Sequence, residues 1–409
     1  MSTEWKETKL IDFMDFNPVL SIKKNSKAKK VPMEMLLPFT RKITGYEVTE
    51  YKGGSKFQNG DTLLARITPC LENGKTAFVS ILEEGETAFG STEFIVLRAK
   101  KNVSDPFFIY YLMRSPFIRE IAIKSMIGSS GRQRVQQDVL ENLEICLPPL
   151  EAQRKIAKIL SSLDEKIELN NKINENLHAQ AQAIFKSWFV NFEPFKNEKY
   201  SDSVLGKIPS KFTVVNLESL CSVITKGTTP TTIKRNFMPC GVNFLKVETI
   251  LENHDFDKTK FTFIDNETNE LMSRSKIKEN DILLSMAGTI GRFAIVRNDL
   301  LPANINQALA IIRADETKIS SYCLYSYFLG GWHTNFYLKK IQQAVQANLS
   351  LTSIKSLPIL LPNREILQAY EKVIIPIIEK IKNIQVENIK LAQIRDTLLP
   401  KLMSGELEV

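Results

Sequence analysis

The sequence predicts an α/β (α+β) protein built as a duplicated unit, with two similar globular halves and two long antiparallel coiled-coil helices. Apolar residues recur at alternating steps of four and three in residues 150–192 and again near the C-terminus, the spacing of a coiled-coil seam. Charged residues in the two stretches repeat at an offset of 214, as at Glu151 and Glu365. The sequence before each stretch shows the same succession of strand-like and helix-like runs.

The first half, residues 1–149, is predicted to be a mixed α/β domain. Short apolar runs at residues 62–67, 77–81 and 94–97 are separated by Gly, Asn and Asp, which favours strands joined by turns. A helical stretch over residues 107–123 follows, and then a polar loop, GSSGRQR, at residues 128–134. This domain therefore ends in a small basic loop just before the long helix.

The first long helix is predicted over residues 150–193, after Pro148 and Pro149. About forty residues rising 1.5 Å each make a rod of about 60 Å, longer than the core of a small domain. Its predicted seam consists of Ile156, Leu160, Leu163, Ile167, Asn174, Leu177 and Ile184.

A polar connector at residues 194–203 leads to the second half, residues 204–363, which repeats the order of the first. The run DILL at residues 281–284 corresponds to DTLL at 61–64, and IIRA at 311–314 corresponds to VLRA at 96–99. Residues 342–349 take the place of the glycine-serine loop. Between these matching motifs the two halves diverge in sequence. We therefore expect the two long helices to be similar spacers, while the two domains recognise different targets.

The second long helix is predicted within residues 364–409, with Pro376 interrupting its first turns. It can lie beside the first helix only by running back antiparallel, because it starts from the domain at the far end of that helix. Asn174 and Asn388 are predicted to face each other near the pseudo-two-fold axis. The second half of the predicted seam consists of Ile374, Ile377, Ile381, Ile384, Asn388, Leu391 and Leu398.

Composition indicates a soluble globular protein. The 409 residues are 43% hydrophobic and 24% charged, enough for two or more domains with their own cores. The sequence shows neither a signal peptide nor a run of eighteen apolar residues, so we expect a cytoplasmic protein without a membrane partner. The five cysteines are scattered and never form a CxxC pair, which argues against disulfides and zinc.

Motifs of known catalysts are largely missing. The three histidines, His178, His254 and His333, have no metal-ligand spacing to another His or Cys. Residues 69–76 resemble the end of a P-loop, but Pro69 stands where the first glycine is required, so we interpret them as a strand turn. No GxGxxG opens a helix after a strand. We therefore predict no catalytic residue, no metal and no cofactor, and favour a binding protein over an enzyme.

Nucleic-acid binding is better supported, by two basic clusters in the first half and one in the second. The net charge of +8 agrees with this function but decides little. The lysine cluster at residues 23–30 can neutralise phosphates, whereas the Arg-Gln-Arg loop at residues 132–134 carries the donors that bind guanine and adenine edges. For each basic cluster, the alternative to nucleic-acid binding is an ordinary solvated loop. The candidates are Lys23, Lys24, Lys27, Lys29 and Lys30 in a predicted loop, Arg132, Gln133 and Arg134, and Lys226, Thr228, Thr229, Lys234 and Arg235.

Five motifs together resemble the specificity subunits of Type I restriction-modification systems, over essentially the whole chain. They are DTLLARITPCLENGK at 61–75, LPPLEAQRKIA at 147–157, KGTTP at 226–230, GTIGR at 288–292 and LLPKLMSGEL at 398–407. The resemblance implies two target-recognition domains, each recognising one half of a split site in double-stranded DNA. It also implies that the helices set the gap and dock methyltransferase (modification) subunits. Adenine methylation and ATP-driven cleavage would come from these and from restriction (translocase/nuclease) subunits.

Two alternatives belong to other functional classes. A stand-alone DNA methyltransferase or nuclease needs a cofactor-binding glycine motif and an Asn-Pro-Pro-aromatic or acidic metal cluster, and the sequence shows neither. A structural coiled-coil scaffold leaves two large globular halves without a purpose. Salt-dependent binding to a split DNA site separates these possibilities.

Overall fold

A computed structural model describes residues 4–334, 336 and 348–409. Contacts divide the chain into two compact units: unit 1 is Met1–Glu168 with Ile389–Val409, and unit 2 is Leu169–Asn388. Each unit thus contains one part of each long helix. The five segments expected from the sequence stay a prediction, and most of residues 342–349, the expected counterpart of the first polar loop, lie outside the described residues.

Unit 1 is a mixed α/β domain. The strands are β1 Lys6–Lys9, β2 Met14–Phe16, β3 Lys27–Val31, β4 Glu47–Glu50, β5 Lys56–Phe57, β6 Thr62–Ala65, β7 Thr76–Phe78, β8 Ala88–Gly90, β9 Phe94–Ala99 and β10 Glu144–Leu147. One four-stranded sheet has the order β2-β9-β6-β7, a second has the order β4-β3-β8-β5, and β1 pairs with β10. The helices are Leu10–Phe13, Pro106–Arg114, Pro116–Lys124, Gln137–Glu141 and the first long helix, Leu150–Phe185.

The helix predicted over residues 107–123 is two helices. Pro116 forces Ser115 into an extended conformation, and the Ser115 side chain accepts a hydrogen bond from the backbone N–H of Ile118. The chain therefore turns between Pro106–Arg114 and Pro116–Lys124.

Unit 2 repeats this architecture. The strands are β11 Tyr200–Ser203, β12 Gly206–Pro209, β13 Phe212–Asn216, β14 Cys221–Lys226, β15 Val242–Leu245, β16 Thr262–Ile264, β17 Ile282–Ser285, β18 Phe293–Ile295, β19 Ala303–Ile305, β20 Leu309–Ala314 and β21 Pro358–Pro362. The four-stranded sheet has the order β14-β20-β17-β18, β15 lies between β16 and β19, and β13 pairs with β21. The helices are Asn266–Leu271, Ser321–Leu329, Leu351–Lys355 and the second long helix, Arg364–Ser404.

Shorter helical segments complete the two units. The first long helix continues into a π-helical turn, Lys186–Val190. The 3-10 helices are Met33–Met35, Glu193–Phe195, Leu217–Leu220, Pro230–Ile233, Val247–Thr249, Lys258–Lys260, Ser273–Ser275 and Asn298–Leu300.

An aspartate and an arginine join neighbouring strands in the same way in both units. Asp61 accepts hydrogen bonds of 2.7 Å from the Nε and Nη2 atoms of Arg98 and from the backbone N–H of Gln58. Asp61 and Arg98 are the residues that the internal repeat matches with Asp281 and Arg313. Both residues recur because the same ion pair fixes the same pair of strands in each unit.

In unit 2 the corresponding residues have the same geometry. Asp281 accepts hydrogen bonds of 2.7 Å from Nε and Nη2 of Arg313 and from the backbone N–H of Lys278. Both carboxylates are buried, and each is fully occupied by donors.

The long helices run antiparallel within each unit. In unit 1, Ile156 and Leu160 near the start of the first helix share a core with Leu399 and Leu402 near the end of the second. In unit 2, Phe185 near the end of the first shares a core with residues near the start of the second. Pro376 does not interrupt the second helix, which is continuous from Arg364 to Ser404.

The predicted seam faces inward along its length. Its buried members are Ile156, Leu160, Asn174, Ile374, Ile381 and Ile384, and its half-buried members are Leu163, Ile167, Leu177, Ile184, Ile377, Asn388, Leu391 and Leu398. Seam positions therefore pack against other residues, but polar residues outside the predicted seam are buried among them.

Asn174 and Asn388, which are predicted to face each other, both line one cavity of unit 2 but do not hydrogen-bond to each other. Asn388 instead accepts a hydrogen bond of 2.9 Å from Asn170 and donates one of 2.8 Å to Asn171. The hydrogen bonds of Asn388 thus reach the helical turn that precedes Asn174.

Candidate nucleic-acid interface

Loops of similar position collect at one end of the four-stranded sheet in each unit. In unit 1, β6 ends at Ala65 opposite Phe94, the first residue of β9. The loop of residues 66–75 leaves from this end, and so does the chain after β2. In unit 2, β17 ends at Ser285 opposite Leu309, and the loop of residues 286–292 leaves from there.

The Arg-Gln-Arg loop lies beside this end of the unit 1 sheet. Arg134 forms a β-bridge with Ile67, and Thr68 donates a 3.0 Å hydrogen bond from its backbone N–H to the Gln133 carbonyl. Val135 donates in the same way to the Arg66 carbonyl. Residues 128–133 therefore form an exposed tip held to residues 66–68 by backbone hydrogen bonds.

The two arginines of this loop have different environments. Arg134 holds Glu93 with both arms of its guanidinium, at 2.7 Å from Nη2 and 3.0 Å from Nε. The hydrogen bond from Arg134 lowers the pKa of Glu93, so Glu93 stays charged at neutral pH. Arg132 is exposed and forms no ion pair within the described part of the chain. Gln133 is half-buried.

The predicted lysine-rich loop is partly a strand. Lys27, Lys29 and Lys30 lie on β3, which pairs with both β4 and β8. Lys29 binds Glu86 at 2.8 Å, and Lys30 lies 3.7 Å from Glu47. A run of lysines does not distinguish a loop from a strand whose acidic partners come from distant parts of the chain.

Lys23, Lys24 and Lys27 are the exposed members of that cluster. Lys23 and Lys24 precede a turn at Asn25, which has a φ of 62°. These three lysines remain candidate phosphate contacts.

In unit 2, the KGTTP motif lies at the equivalent end of the sheet. Lys226 is the exposed last residue of β14. Gly227 passes so close to β19 that a Cβ atom would lie 2.1 Å from the Asn306 carbonyl oxygen. Only glycine allows this approach, and it places Thr228 and Thr229 against residues 305–307, where Thr229 hydrogen-bonds Gln307.

The remaining predicted cations of unit 2 follow a 3-10 helix. Lys234 is exposed in a left-handed conformation, with a φ of 56°. Arg235 is half-buried and forms an ion pair with Glu267. The structure therefore leaves Lys226 and Lys234 more accessible than Arg235.

Three cations near these loops escaped the sequence analysis. Arg274 donates a 3.2 Å hydrogen bond to the Thr228 hydroxyl, and the Lys246 amine lies 4.8 Å from the centre of the Phe237 ring. In unit 1, the Nε atom of Arg66 lies 3.9 Å from Glu93. None of them stands in a charge run. Tertiary contacts bring Arg274 and Lys246 to the loops, whereas Arg66 is the first residue of the loop of residues 66–75.

The three histidines, His178, His254 and His333, are partly or fully buried. Burial lowers the pKa of His178 and of His333 to about 4, and it also lowers that of His254. They are therefore neutral at neutral pH. The described residues contain no cluster of three or more His, Cys, Asp or Glu side chains able to hold a metal ion. No helix in the described part of the chain is long and apolar enough to cross a membrane.

Comparison with known families gives the identity of this duplicated architecture. The model of the Type I restriction modification DNA specificity domain matches residues 2–179 and again residues 209–396. The chain belongs to this family. Each match contains one of the two sheet-end loop clusters. As a Type I specificity protein, the chain thus carries two copies of a DNA specificity domain.

Individual relatives agree with this assignment. The chain is 31% identical over 314 residues to the Type I restriction enzyme MjaIX specificity subunit of Methanocaldococcus jannaschii, covering 74% of this chain and 69% of the relative. It is 27% identical over 417 aligned positions to the HindI specificity subunit of Haemophilus influenzae, covering 86% and 87%. The crystal structure of a Type-I restriction-modification system S subunit from M. genitalium has the same fold, with a TM-score of 0.56 at 14% identity over 98% of this chain and 96% of that one.

Proposed function

We propose that each globular half of this specificity protein recognises one half of a bipartite site in double-stranded DNA through its sheet-end loops. The observation that supports this most strongly is the equivalent position of two different loop clusters on two equivalent sheets. The clusters share their attachment but differ in sequence, which suits two domains that recognise different bases. Exposed Arg132 in unit 1 and Lys226 in unit 2 supply donors for bases or phosphates.

The two long helices are proposed to set the gap between half-sites and to dock methyltransferase subunits. Their 36 and 41 residues correspond to about 54 and 62 Å at 1.5 Å per residue. Half-site centres about 34–36 Å apart, one turn of DNA, lie within that length. Rigid rods of this kind fix a distance better than a flexible linker.

Catalysis is proposed to come from the partners. Methyltransferase subunits would methylate adenines, and restriction subunits would translocate and cleave. The sequence itself lacks the glycine motif and the Asn-Pro-Pro-aromatic motif of a methyltransferase.

The proposal is tested by combining the purified chain with purified partners. With methyl donor and DNA, the chain alone should give no methylation or cleavage, and addition of its methyltransferase partner should produce methylated adenines. Mapping those adenines defines both halves of the site. Turnover by the isolated chain, free of contaminating subunits, would favour a stand-alone enzyme instead.

Replacement of residues 1–149 by those of a relative should change one half of the methylated site only. Each domain carries its own loops, so the second half and the gap should persist. Methylated-adenine mapping of both proteins provides the measurement. A simultaneous change in both halves, or in the gap alone, contradicts separate recognition.

The two arginines of the unit 1 loop should behave differently. Arg132→Ala should weaken specific binding by about 1–3 kcal/mol if Arg132 forms a bidentate base contact. If it contacts phosphate, affinity should fall evenly across sequences, and the salt slope should fall by about one.

Arg134→Ala should release the loop from Glu93, and Glu93→Gln should reproduce its effect. Titrations of DNA at several salt concentrations separate these outcomes. Unchanged affinity and salt slope for Arg132→Ala would exclude it from the interface.

A further inference from the structure

An open apolar groove of about 670 Å³ lies in unit 1. It is formed by the start of the helix Pro116–Lys124, the strand β10 and the last turns of the second long helix. Apolar side chains line most of it, namely Leu112, Pro116, Phe117, Ile145, Pro400 and Met403. Phe117 is 58% exposed, which is unusual for a phenylalanine beside a core.

The duplicated half shows what fills this position. Phe117 corresponds to Trp332 at an offset of 215, the same offset that relates Arg98 to Arg313. The Trp332 indole N–H donates a 2.6 Å hydrogen bond to the carbonyl of Pro358. Its ring packs at 6.0 Å from Phe185. Unit 2 therefore closes the equivalent site with its own tryptophan.

The same backbone acceptor is present in unit 1. Pro358 is the first residue of β21 and corresponds to Glu144, the first residue of β10, at an offset of 214. Glu144 lines the groove. The unit 1 groove thus presents the apolar surface and the strand edge that receive an indole in unit 2, and Phe117 leaves it open.

The rim of the groove carries more acidic than basic residues, which disfavours DNA as its occupant. Glu7, Glu144 and Glu406 line it, and Lys401 is the one lysine among the lining residues. Lys401 is already paired with Glu406 at 3.1 Å, and Glu144 lies 3.8 Å from Lys9. Carboxylates repel phosphates, whereas they suit a protein segment with basic residues beside its apolar anchor.

From these observations we infer that this groove docks an aromatic side chain on a basic segment of the methyltransferase subunit, an inference that rests on the proposed function. The helix Pro116–Lys124 begins in the groove and ends three residues before the loop of residues 128–133. A subunit seated there lies near the loop that is proposed to contact DNA. An enzyme that acts on the recognised base requires that proximity.

Cys146 provides a direct test, because it is exposed and lines the groove. Cys240 is also exposed, but it belongs to unit 2 and serves as the matched control. We expect the alkylation rate of Cys146 to fall in proportion to the fraction of full-length chain bound to purified methyltransferase subunit. The rate at Cys240 should stay unchanged. Equal reactivity of Cys146 in the free chain and in the complex would overturn the inference.

Two variants measure the anchor itself. Phe117→Glu should weaken binding of the methyltransferase subunit about 30-fold, as expected for a central interface contact. Val139→Glu, a similar change at an exposed residue of the same unit outside the groove, should have little effect. Binding of Phe117→Glu with wild-type affinity would contradict the groove as the docking site.

The remaining outcomes are distinguishable. If Cys146 becomes protected as the concentration of the chain alone rises, a second copy of the chain occupies the groove instead of the methyltransferase subunit. A wild-type chain that does not bind the methyltransferase subunit at all would refute the proposed function rather than the location of the groove.

Discussion

Arg395→Ala should lower the free energy of unfolding of unit 1 by about 3–5 kcal/mol, the cost of removing one partner of a buried ion pair. Arg395 lies on the second long helix and forms an ion pair with Asp164 on the first. Tyr111 donates a 2.7 Å hydrogen bond to the same carboxylate, and Arg114 lies 3.8 Å from it. The cluster therefore joins the globular part of unit 1 to both helices.

The pKa of Arg395 shows that its charge is retained. Burial opposes that charge, but hydrogen bonding to Asp396 and the charge of Asp164 outweigh burial and raise the pKa. Removing the guanidinium leaves the buried Asp164 carboxylate with Arg114 and Tyr111 as its partners.

Unit 2 shows that an apolar cluster can replace these charges. At an offset of 214, Asp164 corresponds to Ile378 and Arg395 corresponds to Ala181, both fully buried in the core of unit 2. Arg114 corresponds to buried Leu329 at an offset of 215.

We therefore expect the combination Arg114→Leu, Asp164→Ile, Arg395→Ala with Tyr111→Phe to be less destabilised than Arg395→Ala alone. Hydrogen exchange of unit 1 amides in increasing denaturant measures the difference. Lys390→Ala, an exposed change on the same helix, should stay within about 0.5 kcal/mol of wild type. A larger loss in the combined variant than in Arg395→Ala would show that the charges themselves stabilise the unit.

Asp61→Ala and Asp281→Ala should each destabilise their own unit by about 2–4 kcal/mol. Either change leaves a bidentate arginine and a backbone N–H without their acceptor. We expect less than for Arg395 because the Arg98 and Arg313 side chains are 27% and 23% exposed and can regain water.

Hydrogen exchange locates the effect of each aspartate. Faster exchange should be confined to Thr62–Ala65 and its neighbours for Asp61→Ala, and to Ile282–Ser285 and its neighbours for Asp281→Ala. Asp15→Ala removes an exposed pair, 3.8 Å from Lys100, and should cost less than about 1 kcal/mol. An equal effect of Asp61→Ala on both units would contradict independent folding of the two sheets.

Local sequence patterns predicted the parts of the fold that depend on neighbouring residues. Helical periodicity predicted both long helices, since burial of one face repeats every few residues. The repeated Asp and Arg anchors predicted equivalent strands, because the same ion pair requires the same two positions. The motif combination indicated the family, which the family model matches twice.

The sequence by itself therefore determined the duplication, the helices and the family, whereas tertiary structure decided which side chains meet. Arg395 and Asp164 are 231 residues apart, and Arg134 reaches Glu93 across 41 residues. Periodicity specifies the face of a helix that is buried, but contacts between distant segments depend on how the whole chain packs, and no local spacing encodes that.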